Sequence, residues 1–322
     1  MAPQQRINLS FIYAQCLAAL RSYPAALDCL DEALDLAVFL QDPMAFAEIA
    51  YLRGSTSVML LRYTEAAADQ TLCIEVLRDL AEAGEHPDPQ LYLYALLARA
   101  STAFNLANWR DATQLLDESL PLLRFAHNPL RESAAHEWIR ALICRWTNAS
   151  DRGLAHAIQA ADMLLQLGPS EAAGRIQTVV SDIALDLAHA SSASGPRRGR
   201  AAYLALAQPY IVGALQMAPA HHDAIGEGLA LLAEMRYKLL TTDDVPHIQQ
   251  LESIVQQGLI LQDTALTGQA YVVLGSQFAA RGDFDQARGA LRAARDTLGP
   301  TDNRALDLWA QRMWLQLQEM HP

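Results

Sequence analysis

Apolar and small residues return with a helical period along nearly the whole chain, most regularly between Gly268 and Leu298. Tyr271, Leu274, Gly275 and Phe278 stand at i, i+3, i+4 and i+7, one face of an α-helix with a small residue where a neighbouring backbone must come close. Arg281-Gly282-Asp283 then reverses the chain, and Phe284, Ala287, Leu291 and Ala294 mark the face of a second helix. Asp283, with Gln286 three residues on, predicts a capping box at the start of that helix. A leucine at position 275 would overpack the contact.

The two-helix unit recurs, blurred, over residues 4–40, 44–83, 91–123, 129–167, 170–217, 222–262 and 264–298, with a final amphipathic helix over 301–319. Tyr23, Tyr63, Trp109 and Leu154 open the second helices, at intervals of 40, 46 and 45 residues. Gly54 and Ala100 fill the small-residue place, Pro24 and Pro246 sit in first turns, and Asn108 predicts a capped helix. The fit is weaker in the second unit, where Gln70 and Cys73 stand at apolar positions, and in the fifth, which is split by a Ser-rich loop.

Aromatic, Leu-Gly, aromatic, Gly-Asp-aromatic, then two turns of Ala and Leu: this pattern resembles the tetratricopeptide repeat. The resemblance implies an all-α fold, a right-handed α-solenoid of about seven antiparallel helix pairs plus a C-terminal capping helix, running through residues 1–322 as one array. The intervals exceed the roughly 34 residues of the standard repeat. In this the chain is similar to the sensor arrays of some bacterial transcription regulators, although no helix-turn-helix precedes residue 1.

Composition narrows the partners. Apolar residues make up 52% and charged residues 19% of the 322 residues, enough for a continuous core. The net charge of −12 argues against direct nucleic-acid binding and against anionic membrane. The basic cluster Arg197, Arg198, Arg200 lies beside serines and a Gly-Pro pair and reads as a solvated loop. Cys16, Cys29, Cys73 and Cys144 lack metal spacing and read as buried free thiols of a cytoplasmic protein. No apolar run approaches the roughly 20 residues of a bilayer span.

Motifs of catalysis and of metal or cofactor binding are incomplete. His136-Glu137 opens like a zinc-protease helix, but Arg140 occupies the place of the second histidine. His221-His222-Asp223 reads as a helix N-terminus in which Asp223 meets the dipole. No nucleophile, base and oxyanion donor fall together, so the chain reads as non-catalytic, without cofactor or metal.

The resemblance implies a groove lined by the first helix of each pair, where polar and aromatic residues hold a peptide or protein segment. Projected onto this chain, the candidates are Asn8, Gln15, Glu48, Tyr51, Ser55, Tyr94, Ser101, Asn105, Gln269 and Ser276. Asn105 stands out because an amide donates to and accepts from a peptide backbone. Arg140 and Arg145 are candidates for a ligand carboxylate. The competing reading is an assembly scaffold, including a homodimer, for which Trp138, Trp146, Trp309 and Trp314 near helix surfaces are the motivation.

Overall fold

The computed structural model describes residues 3–194, 198–241 and 248–320. Among these it contains fifteen α-helices and one 3-10 segment, with no strand: an all-α solenoid fold. Two compact units divide the chain, residues 1–129 and 130–322.

In the first unit, α1 (Pro3–Ala19) and α2 (Tyr23–Leu40), α3 (Pro43–Met59) and α4 (Tyr63–Glu82), and α5 (Pro89–Asn105) and α6 (Trp109–Ser119) form successive helix pairs. The sequence predicts helix to Leu123, but Pro121 lacks the N–H that α-helix continuation needs, and Leu120–Phe125 is a 3-10 segment. In the second unit the helices are α7 (Pro129–Trp146), α8 (Ser150–Gln166), α9 (Glu171–Ser194), α10 (Arg198–Ala220), α11 (Ala224–Thr241), α12 (Ile248–Ile260), α13 (Thr264–Ala280), α14 (Phe284–Leu298) and α15 (Arg304–Met320). α10 continues to Ala220, past the predicted end at Met217 and through Pro209 and Pro219. Pro246 and Arg197, both named above, lie outside the described residues, as do the side chains of Ser192 to Arg198.

The helix face read from residues 268–298 is the packed one. A Cβ on Gly275 would meet Leu291 Cγ at 2.7 Å, and one on Gly54 would meet the Ala66 carbonyl oxygen at 3.1 Å. α15 lays Ala310 and Leu317 into the same core, with Trp309 and Met313 packed against it, and turns Arg304 and Arg312 outward.

The turns recur more faithfully than the sequence does. Ser22, Asp42, Arg62 and Asn108 each donate their N–H to the carbonyl five residues back, at 2.8–3.1 Å, and so do Ala149, Asp223, Asp263 and Asp283, at 2.9–3.0 Å. The residue before each lies in the left-handed region, which only Gly282 among the eight adopts without a Cβ penalty; the others are Arg21, Gln41, Leu61, Ala107, Asn148, His222 and Gln262.

Two expected caps are not made. Asn108 and Asp283 are N-cap residues, but neither side chain accepts a backbone bond, nor does that of Ser22. Their ψ of 60–62° departs from the extended conformation that swings a cap oxygen over the first turn. Side-chain caps instead open the first helices, where Asp42, Asp88 and Asp263 are extended and accept from Ala45, Gln90 and Leu266 at 2.7–3.0 Å.

The cysteines also differ from expectation. All four are free, but only Cys73 is buried, where loss of solvent pushes its thiol up to about 12. Cys29 and Cys144 are half-buried and Cys16 is exposed, because its position on α1 turns away from the core.

Candidate functional site

The first helices of the first unit lie side by side, α1 touching α3 and α3 touching α5. Helical spacing gathers the predicted residues into a row on each: Asn8 and Gln15 on α1; Glu48, Tyr51 and Ser55 on α3; Tyr94, Ser101 and Asn105 on α5. Asn8, Gln15 and Glu48 are exposed and the other five half-buried.

Two of these rows meet directly. The Tyr51 and Tyr94 rings stack with centroids 6.3 Å apart and planes 19° apart, a geometry of favourable offset aromatic contact. Glu48, one turn before Tyr51, shares a cleft of about 210 Å³ with Asn8, over a floor that includes Ile7, Phe11 and Ile49. Partial burial, then the nearby charges of Asp42 and Asp88, raise the Glu48 carboxyl above the ordinary glutamate range. Among the described residues no cation pairs with it. Asp42 and Asp88 are the N-caps of α3 and α5, so the turn chemistry that starts these helices also sets the electrostatics of the cleft.

Asn105 behaves differently from its neighbours. Its side-chain amide donates to the Ser101 carbonyl at 2.9 Å, one turn back on its own helix. A larger cleft in this unit, about 420 Å³, contains Arg53, but that guanidinium is already claimed by Asp69, with one bond at 2.9 Å, and by Asp31 at 2.9 Å.

In the second unit the corresponding helices are cross-tied. Arg145 on α7 donates to Asp186 at 2.7 Å and to Asp182 at 3.2 Å, both on α9. Arg236 on α11 reaches the same two carboxylates at 2.5 Å each. Burial opposes the charged form of Asp186, but Arg145 and Arg236 outweigh it and hold the carboxyl below its usual range. The carboxylates that Arg145 holds are thus the chain's own. Arg140, half-buried, is close enough to Cys144 to offset part of the rise that burial imposes on that thiol. On α13, Gln269 and Ser276 are half-buried, and Ser276 returns its hydroxyl to the Val272 carbonyl at 2.9 Å.

Sequence reasoning missed Asp182, Asp186 and Arg236, which are 37 to 91 residues from Arg145 and carry no local signal. It also missed His156, whose Nδ1 lies 2.5 Å from Glu137, with His136 3.3 Å away on the other oxygen. Asp223 does start a helix as expected, accepting from the Gly226 N–H at 2.9 Å, and is further held by Arg175 through two bonds of 2.9 Å.

No protein-family model matches the chain, and no curated protein matches it in sequence. Among solved structures, the apo form of RapI superposes with a TM-score of 0.68 over 96% of this chain and 99% of that one, at 10% identity. Yeast Tom70 covers 100% of this chain and 82% of its own at 12% identity, with a TM-score of 0.32. The TPR domain of P58(IPK) covers 97% and 99% at 12% identity, with a TM-score of 0.21. The likeness to RapI shows the fold, an all-α array of helix pairs.

Proposed function

We propose that the chain is a non-catalytic recognition module that binds a peptide or protein segment across α1, α3 and α5, with a basic side chain of the ligand seated against Glu48. The observation that carries this reading is Glu48 one turn before Tyr51 on α3, with no cation paired to it among the described residues and with the Tyr51 ring stacked on Tyr94. A guanidinium or ammonium group there gains a charge partner and a cation–π surface together. The larger cleft and the face of α7, α9 and α11 are weaker candidates, since their arginines are already matched internally. A signal-sensing regulator is the biological role that suits such a module.

Native mass spectrometry of the gently purified protein, with release and sequencing of bound species, tests this. The expected result is a peptide bound near one to one that contains lysine or arginine. Tyr94→Ala and Glu48→Gln should each weaken its retention about tenfold, the size of one lost aromatic or charge-assisted contact. A protein that is empty under all conditions, or a ligand indifferent to both substitutions, overturns the reading.

A further inference from the structure

α1 is apolar on two opposite sides. Ile7 and Ala14 are buried, with Phe11, Leu17 and Ala18 packed beside them against the neighbouring helices. Away from that core run Leu9, Ile12, Tyr13, Cys16 and, just past the helix end, Leu20, at i, i+3, i+4, i+7 and i+11. Leu9 is 55% exposed, Ile12 and Tyr13 56% each and Leu20 78%, and Cys16 is exposed with them. This is the spacing of a packing face, whereas a helix that lies on a surface normally turns polar residues outward.

The same segment is poor in charge. In a chain of net charge −12 the first acidic residue is Asp28. Arg6 and Arg21 are the only charged side chains before it, and Arg6 is bound to Glu32 at 2.5 Å. The next helix shows the contrast, since α2 exposes Asp28, Glu32 and Asp35. In a two-fold contact the same patch meets its own copy, residue i against j and j against i, so a charged face repels its own image. A charge-free apolar stripe on an otherwise acidic molecule can meet itself, and it has the composition of an interface core.

We propose that this stripe is a self-association surface, on which two copies of the chain pack α1 against α1 about a two-fold axis. Antiparallel packing sets Leu9 against the partner copy's Leu20 position and brings the two Cys16 thiols near the axis. This contact goes beyond the peptide reading and uses a different side of α1 from Ile7, Asn8 and Phe11.

Analytical ultracentrifugation of the full chain, with and without Ile12→Asp, reads this directly. The expected result is a dimer whose dissociation constant rises about a hundredfold or more in the variant, which buries an unpaired charge. Ile12 is exposed, so the monomeric variant should keep the wild-type helical circular dichroism spectrum and a cooperative melt; Tyr13→Glu gives a second readout. A short bismaleimide should link two chains in the wild type and fail in Cys16→Ser. A wild type that is monomeric at tens of micromolar overturns the proposal. So does a dimer that survives both substitutions, or crosslinking that persists without Cys16.

Discussion

The first-helix faces of the two units spend their charges in opposite ways. In residues 1–129 the face holds stacked tyrosines and an unmatched glutamate whose carboxyl is raised. In residues 130–322 two arginines and two aspartates from α7, α9 and α11 neutralise one another. The same helix-pair architecture can therefore leave polar groups to a ligand or use them to lock neighbouring pairs together. The lock requires partners on three helices, and the open face requires their absence.

Removing one member of the lock should have the largest effect. Arg145→Ala leaves Asp182 and Asp186 with one guanidinium between them in a mostly buried place, and should cost the second unit about 3 kcal/mol in urea melts. Hydrogen exchange should show the loss over α7, α9 and α11, with the first unit's protection retained.

Gly275→Leu comes next, at about 1 to 3 kcal/mol, because Leu291 already lies where the new side chain would start. Unchanged stability would mean that this helix face is not the packed one.

The first unit carries a cost of its own. Gln70 is fully buried, and neither its amide nitrogen nor its oxygen has a hydrogen-bond partner among the described residues. Gln70→Met keeps the shape and removes the unsatisfied groups, so it should raise stability by about 1 to 2 kcal/mol. A left-handed turn residue should give a smaller gain. Ala107→Gly relieves a Cβ penalty but loosens the unfolded chain, for a net stabilisation of about 0.5 to 1 kcal/mol by thermal melting.

Acid should separate the two faces by sign. Asp186 has its folded value below its unfolded one, so its contribution is present above the unfolded value, roughly 3.9, and is lost as pH falls through the folded one. Glu48 is raised, so its neutral form suits the fold, and its contribution grows as pH falls through its folded value, above the ordinary glutamate range. In urea melts, Glu48→Gln should differ from wild type most near neutral pH and converge with it on mild acidification. Asp186→Asn should converge only below about pH 4.

The fold was legible because helical period and a recurring small residue are properties of single helices. Tyr271, Leu274, Gly275 and Phe278 specify their face without reference to distant sequence, and the structure packs them as expected. The caps at Asn108 and Asp283 were misread because residue type is only half of a cap: their ψ of 61–62° keeps the side chain from the first turn, and a sequence motif does not display it. The rows of candidate residues on α1, α3 and α5 follow from spacing alone. What joins them does not, since the tyrosine stack depends on how α3 meets α5. The lock in the second unit was invisible for the same reason, since Arg145 and Arg236 stand 91 residues apart in the chain.

The eight closed turns have a consequence for how the molecule is made. Each ties a helix end to the start of the next within a few residues, so most helix pairing is local in sequence. Local pairing lowers the entropy that must be lost before contacts form, and it favours rapid zipping from whichever pair nucleates first. The first four of these closures can fold as the chain emerges, before α7, α9 and α11 have all been synthesised. The arginine–aspartate lock needs all three helices and so cannot close before Arg236 on α11 has been added.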